Sequence, residues 1–234
     1  MFLRQLHQRF CCTPLGPVRF SSSITSLDEL IYPESLSPHH DDLPSFVDYA
    51  SQTGMDLKST VYVGTHYEYT VQSSLERLGM SLKRIGGRSD YGIDLLGTWS
   101  LPSLARPLKI IVQCKAFSGK GGAGGPANIR ELEGAFVGAP QGWREPGVFG
   151  LHVTPKSATK AVREALGRSR WPMGYALCSS DGKIMQMLWN RRAAQEGLEG
   201  ISVELKYFTG GDRSDKEVIL TWKGDVIDGK SGQQ

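Results

Sequence analysis

From residue 86 the chain reads Gly86-Gly87-Arg88-Ser89-Asp90-Tyr91-Gly92-Ile93-Asp94-Leu95-Leu96, and from residue 110 it reads Ile110-Ile111-Val112-Gln113-Cys114-Lys115-Ala116-Phe117. The first run predicts a glycine turn and then a strand that begins at Asp94. The second predicts a strand buried on both faces, because its apolar residues are continuous and β-branched. Gln113 and Lys115 would share one face of that strand, about 7 Å apart. An acid, an amide and an ammonium at the ends of two buried strands indicate a metal-dependent site.

Composition favours a soluble globular protein. The 234 residues are 39% hydrophobic and 22% charged, and no apolar run approaches the length that a membrane span requires. The cysteines are Cys11, Cys12, Cys114 and Cys178, and no pair in the predicted folded part has metal-ligand spacing. We therefore expect neither a zinc site nor a disulfide framework.

The net positive charge lies at the N-terminus. Residues 1–20 contain three arginines and no acidic residue, so the rest of the chain carries 24 basic and 24 acidic side chains. Affinity for nucleic acid would have to come from local basic patches. Residues 1–27 contain no Asp or Glu and end near a serine tract, which predicts a mitochondrial transit peptide and a matrix location. A disordered basic tail is the alternative.

Changes in composition divide the remainder. Residues 28–58 contain seven acidic residues and three prolines, which predicts an acidic linker that docks through Phe46, Val47 and Tyr49. Residues 59–224 are the predicted folded domain. Residues 225–234 are the predicted flexible tail.

The first helix is predicted over Thr65–Gly79, from the helical spacing of Val71, Leu75 and Leu78. Glu68 lies on the same face, and two interpretations stay open. Glu68 could complete a capping box with Thr65, or it could direct a carboxylate inward to a catalytic centre.

The later elements alternate strands and helices. A glycine loop at 119–125 is interpreted as a lid or DNA-contacting loop, and Asn128 is predicted to cap the next helix. After the buried strand Val148–Val153, a helix is predicted to open at Thr154-Pro155. Its basic stripe of Lys156, Lys160 and Arg163 is either a solvated face or a phosphate-tracking surface. A hairpin and two further strands are predicted over residues 173–222.

This order resembles the PD-(D/E)xK nuclease core, in particular its Mrr-like branch. The resemblance rests on Gly86-Gly87-Arg88-Ser89-Asp90-Tyr91-Gly92-Ile93-Asp94 followed by Gln113-Cys114-Lys115, and it covers roughly residues 61–170. It implies a restriction-endonuclease-like α/β fold, with a mixed central β-sheet flanked by helices and extra C-terminal strands. With its leader, the whole chain resembles the fungal mitochondrial "required for respiratory growth protein 7" family.

The resemblance also implies roles for particular residues. The catalytic set would be Glu68, Asp94, Gln113 and Lys115. Mg²⁺ or Mn²⁺ would be held by Asp94, the Gln113 amide oxygen and the Cys114 carbonyl, while Lys115 would orient the attacking water or stabilise developing charge. The candidate nucleic-acid contacts are Arg88, Lys120, Arg130, Lys156, Lys160 and Arg163.

The expected activity is metal-dependent hydrolysis of DNA phosphodiester bonds in mitochondria, in support of genome maintenance and respiratory growth. Many nucleases of this kind act as dimers, so the resemblance allows a homodimer. The alternative is a nuclease-fold protein that binds DNA or RNA without cutting it.

Overall fold

The computed structural model describes residues 30, 32–33, 37–85, 92–116, 125–207 and 216–227. The helices are α1 (Leu43–Thr53), α2 (Thr60–Glu76), α3 (Pro126–Gly138), α4 (Lys160–Arg168) and α5 (Arg191–Ala193), the last continuing as a π-helical turn (Ala194–Leu198). The strands are β1 (Met80–Arg84), β2 (Leu95–Trp99), β3 (Leu108–Cys114), β4 (Val148–Thr154), β5 (Met173–Cys178), β6 (Ile184–Trp189), β7 (Ile201–Tyr207), β8 (Lys216–Trp222) and β9 (Asp225–Ile227). The predicted leader, the turn at 86–87 and most of the glycine loop lie outside the described residues.

A mixed sheet of six strands forms the centre, in the order β1-β2-β3-β4-β5-β6. The pairs β1–β2, β2–β3 and β5–β6 are antiparallel, whereas β3–β4 and β4–β5 are parallel. The predicted α/β class with a mixed central sheet flanked by helices is therefore confirmed. The C-terminal strands form a second, antiparallel sheet in the order β7-β8-β9.

Helices cover both faces of the central sheet, which is why β3 and β4 are apolar on both sides. Ile110 and Val112 of β3 pack into one cluster with Val71 of α2. On the opposite face, a side chain at Gly150 of β4 would come within 2.6 Å of Phe136 of α3. Ile110, Ile111 and Val112 are all fully buried, as their sequence predicts.

Three helices begin elsewhere than predicted. Ser59 caps α2, whose first residue is Thr60, so the helix starts five residues before Thr65. Gly125 occupies the cap position of α3, and Asn128 reaches back from inside the first turn to accept from the Gly125 amide. The helix predicted to open at Thr154-Pro155 starts at Lys160 after the cap Thr159, because β4 continues through Thr154.

The two terminal segments contain more structure than predicted. The acidic stretch expected to be a linker contains α1, whose capping box at Asp42 and buried Phe46 fix it to the domain. The segment expected to be a frayed tail begins with β9, which pairs with β8. The predicted hairpin of β5 and β6 is confirmed. Among the described residues, no helix is both long and apolar enough to cross a bilayer.

Candidate functional site

Asp94 lies where β2 begins and β3 ends, as the sequence predicts. Its main-chain amide donates to the Val112 carbonyl at 2.9 Å, and its carboxylate accepts from the Cys114 amide at 2.6 Å. The strand pairing thus holds the acid against the last residues of β3. A carboxylate that accepts a main-chain N–H bond is oriented without the help of a mobile side chain.

Gln113 and Lys115 meet at one carboxylate that belongs to α3. The Gln113 amide nitrogen donates to Glu131 Oε1 at 3.0 Å, and the Lys115 ammonium lies 2.7 Å from the same oxygen. Gln113 is fully buried, whereas about a third of the Lys115 side chain is exposed. The two residues share a strand face, as their spacing predicts, and Glu131 joins them into one group.

The amide oxygen of Gln113 is a buried acceptor with the chemistry of a cation ligand. It is buried, and it accepts no hydrogen bond from any described residue, while the amide nitrogen points to Glu131. An unpaired buried acceptor costs roughly 1–3 kcal/mol. With the Asp94 carboxylate beside the next residue, these hard oxygens fit a divalent cation such as Mg²⁺. The described residues hold no cluster of three or more His, Cys, Asp or Glu side chains suited to a metal, so the predicted ligand set stays a prediction.

Glu68 forms an ion pair at the end of β1. Its carboxylate accepts from Arg84 Nε at 2.6 Å, and both side chains are 15% exposed. The Arg84 guanidinium also stacks on the Tyr69 ring, at 5.4 Å from its centroid. Since Thr65 lies inside α2, the capping-box interpretation of Glu68 is wrong. Glu68 is a partly buried carboxylate paired with arginine.

Electrostatics connect Glu68 and Asp94 through Cys114. Burial raises the pKa of the Cys114 thiol well above its ordinary value, and the charges of Asp94 and Glu68 raise it further. The thiol is therefore protonated at neutral pH and unreactive. Both carboxylates act on the final residue of β3, one from the start of β2 and one from α2.

A buried polar layer continues from Gln113 across the sheet. His152 of β4 lies level with Gln113 and is fully buried, and neither ring nitrogen has a hydrogen-bond partner among the described residues. Burial lowers the pKa of His152 to about 4, with a further contribution from Lys115. The Thr154 hydroxyl is also buried, and no described residue hydrogen-bonds to it. These groups surround the candidate site with polar atoms in an otherwise apolar sheet.

Four of the six predicted nucleic-acid contacts lie among the described residues, and their role stays a prediction. Arg88 and Lys120 lie outside the described residues. Arg130 is exposed on α3, where its neighbour Glu131 makes the contacts with the site. The predicted stripe is broken because Lys156 precedes α4, while Lys160 and Arg163 are exposed on that helix.

Glu131, Arg84 and His152 are the residues whose part in this geometry the sequence did not reveal. Glu131 and Arg130 are adjacent in the helix predicted after the glycine loop. The spacing of residues alone did not show which of these two side chains points toward β3. His152 carried a usable signal, as an imidazole within the buried run of β4. Arg84 carried none, because a basic residue at a strand end is ordinary.

Comparison with known proteins identifies similar sequences. A family model described as "Required for respiratory growth protein 7" matches residues 59–106 and 102–207. An uncharacterised mitochondrial protein of Schizosaccharomyces pombe is 33% identical over 163 residues, which is 68% of this chain and 63% of that protein. No solved structure matches.

Two further relatives carry the family description in their names. "Required for respiratory growth protein 7, mitochondrial" of Zygosaccharomyces rouxii is 30% identical over 50% of this chain and 64% of its own length. Its namesake in Saccharomyces cerevisiae is 27% identical over 56% of this chain and 71% of its own length. The match thus spans less than two thirds of the Schizosaccharomyces and Zygosaccharomyces proteins. All three relatives are named as mitochondrial, which supports a mitochondrial location for this chain.

Proposed function

The chain belongs to the Required for respiratory growth protein 7 family, and we propose that it hydrolyses phosphodiester bonds of DNA with Mg²⁺ or Mn²⁺ in the mitochondrial matrix. In this proposal the six-stranded sheet and its helices are a restriction-endonuclease-like core of the Mrr-like branch. The activity would serve maintenance of the mitochondrial genome and, through it, respiratory growth.

One observation supports this function most directly. The buried amide oxygen of Gln113 has no partner among the described residues, and the neighbouring Cys114 amide holds the Asp94 carboxylate, with Lys115 next along the chain. A core has no structural use for an orphaned acceptor, and a cation ligand would remove its cost. Glu131 adds a carboxylate beside Gln113, where a Glu-x-Lys site would carry its own acid.

The side chains divide the chemistry among them. Asp94, Gln113 and the Cys114 carbonyl would hold the cation, which supplies a polarised phosphate oxygen and a more acidic water. Lys115 would hold the attacking water or the developing negative charge once its ammonium faces the substrate. Glu68, restrained by Arg84, would position a water on the α2 side.

The test is cleavage of supercoiled plasmid and single-stranded DNA by the full chain with Mn²⁺ or Mg²⁺. We expect Asp94→Ala and Lys115→Ala each to lower the cleavage rate by at least about 100-fold. The matched controls are Asp48→Ala and Lys58→Ala, which remove one exposed charge of the same sign elsewhere. Cleavage that is equal in the site variants and the controls would refute the assignment.

The ion pair of Lys115 with Glu131 favours a second candidate, a nuclease-fold protein that binds DNA or RNA without cutting it. A lysine whose charge is already paired at 2.7 Å is less available for a developing anion. Under this candidate, wild-type protein binds nucleic acid in a salt-dependent manner and cleaves no DNA form with either metal. Cleavage that is lost in Asp94→Ala would exclude it.

A further inference from the structure

A polar cleft lies where β5 begins and β6 ends, away from the candidate site. Its volume is about 320 Å³, near the lower end of small-ligand sites. The lining residues are Gly167, Ser169, Asn190, Arg191, Arg192 and Gln195. We refer to it as the arginine cleft.

Asn190 gives the arginine cleft a rigid floor. Its side-chain oxygen accepts from the amides of Met173 and Ala193, and its side-chain nitrogen donates to the carbonyls of Leu166 and Trp171. One buried amide thereby joins the end of α4, the start of β5 and the start of α5. The positions of the flanking arginines follow from this frame.

The two cleft arginines have no carboxylate partner in the part of the chain that the structure describes. Arg191 and Arg192 are exposed, and neither forms an ion pair with any described residue. Arg168 and Arg170 add charge at the neighbouring end of α4, where Glu164 lies 3.8 Å from Arg168. Glu196 lies on the turn that follows α5. Paired arginines that face a cleft and lack carboxylate partners suit phosphate oxygens, which guanidinium groups bind through two parallel hydrogen bonds.

Trp171, two residues after the cleft residue Ser169, provides a partly exposed aromatic side chain. Its ring stacks on Phe136 with centroids 4.7 Å apart and planes 16° apart, yet the residue is 38% exposed. Phe136 covers part of the indole, and the rest of the residue contributes its exposure. The main chain of Trp171 is bonded to Ser169 and Asn190, which both line the cleft. These main-chain bonds tie a partly exposed indole to the cleft, and single-stranded bases stack on aromatic rings that accompany a basic groove.

The arginine cleft is distinct from the candidate site. Register across the sheet places Cys114 level with Val153 and Ala176. Met173, which marks the cleft, lies three residues earlier on β5, about 10 Å along the strand. The candidate site therefore lies at the C-terminal ends of the parallel strands, and the cleft lies toward their N-terminal ends.

We propose that the arginine cleft and Trp171 form a binding site for single-stranded nucleic acid, in which Arg191 and Arg192 contact phosphates and a base stacks on the indole. In a duplex the bases are paired and stacked on one another, so no base face is free to stack on the indole. A free anion would use the arginines but not the indole. Binding at this site does not depend on hydrolysis at the other end of the sheet.

The test measures fluorescence anisotropy of labelled single-stranded DNA and RNA with the full chain in EDTA, which separates binding from cleavage. The double variant Arg191→Ala/Arg192→Ala should bind more weakly, and the slope of log K against log salt should become shallower by about 1.4. Trp171→Leu should weaken binding by about 5- to 150-fold, and Trp171→Phe should restore most of it. Asp48→Ala, which removes an exposed acidic side chain on α1, should bind like wild type.

The matched control is Lys58→Ala/Lys83→Ala, which removes two exposed positive charges, the second on β1 at the opposite edge of the sheet from β6. Equal affinity in this control and in Arg191→Ala/Arg192→Ala would overturn the proposal. Full competition by inorganic phosphate at millimolar concentration would also overturn it, because it would assign the cleft to small anions. Equal affinity for duplex and single-stranded DNA would exclude the stacking role of Trp171.

Discussion

Glu131→Ala should lower the free energy of unfolding by about 1–3 kcal/mol, although the residue is nearly half exposed on a helix. The cost arises at Gln113, whose buried amide nitrogen loses its acceptor at 3.0 Å. The ion pair with Lys115 adds only a few tenths of a kcal/mol, because its side chains are 34% and 46% exposed. The better helix propensity of alanine offsets a few tenths.

Urea denaturation followed by circular dichroism measures this loss at neutral pH. The matched control is Glu133→Ala on the same helix, for which we expect a change within about 0.5 kcal/mol. Glu131→Gln should cost less than Glu131→Ala, because its amide oxygen still accepts from Gln113. If Glu131→Ala and Glu133→Ala destabilise equally, the bond to Gln113 contributes nothing and the reasoning is refuted.

A double-mutant cycle isolates the origin of the effect. Gln113→Leu removes both the buried donor and the buried acceptor. In that background Glu131→Ala should lower the free energy of unfolding only by the small contribution of its ion pair with Lys115. A full 1–3 kcal/mol loss in that background would assign the cost to another partner of Glu131.

Three further predictions concern other parts of the fold. Burial lowers the pKa of His152 to about 4, so between about pH 4 and pH 6.5 the unfolded chain binds a proton that the folded chain does not bind. The free energy of unfolding should therefore fall by roughly 3 kcal/mol as the pH is lowered from about 6.5 to about 4. In His152→Leu, urea denaturation at pH 7 and pH 4.5 should show a correspondingly smaller loss. Gly97→Ala should destabilise the fold by about 3 kcal/mol or more, because its Cβ would lie 1.9 Å from the Ser81 carbonyl oxygen. Gly134→Ala, whose Cβ would meet nothing within 4 Å, should stabilise the fold by about 0.5–1 kcal/mol. In thermal melts the first variant should lower the melting temperature and the second should raise it. Arg84→Ala should cost about 2–4 kcal/mol in the same melts, because it leaves the Glu68 carboxylate partly buried without its 2.6 Å partner, and a cost equal to that of Arg106→Ala would contradict this.

The central strands were predictable because both faces of the sheet are covered by helices, so nearly every residue along these strands is apolar. Val148–Leu151 and Ile110–Val112 are continuous apolar runs, which are typical of strands buried on both faces. The position of Asp94 followed from its place before Leu95. Once β2 and β3 pair as antiparallel neighbours, Asp94 lies beside the end of β3. The short connection between the two strands indicated that pairing.

Helix starts were less predictable, because several residues compete as caps. Ser59 and Thr65 are both good capping residues, and only the packing of α1 and α2 shows that the helix uses the earlier one. Proline after Thr154 was compatible with a first helical turn, yet continued pairing of β4 with β5 holds Thr154 in the sheet. Tertiary pairing determined the outcome at both places.

Glu131 could not be chosen from sequence because its role depends on the angle at which α3 crosses β3. Arg130 and Glu131 differ by about 100° around the helix axis. Ile129 and Leu132 of the same helix are buried in the core. Glu131 lies at the edge of that buried face, where only the actual position of the helix brings its carboxylate to Gln113 and Lys115.

The two candidate sites use different residues at different ends of one sheet, and this separation makes the functional alternatives distinguishable. The C-terminal ends of parallel strands are where open α/β sheets usually hold ligands, and Asp94 and Lys115 follow that rule. The arginine cleft does not follow it, since Asn190 builds it from the connections around β5 and β6. If the chain cuts DNA, the cleft retains a strand whose cleavage depends on Asp94. If it never cuts, the cleft alone explains salt-dependent binding, and Arg191→Ala/Arg192→Ala weakens that binding.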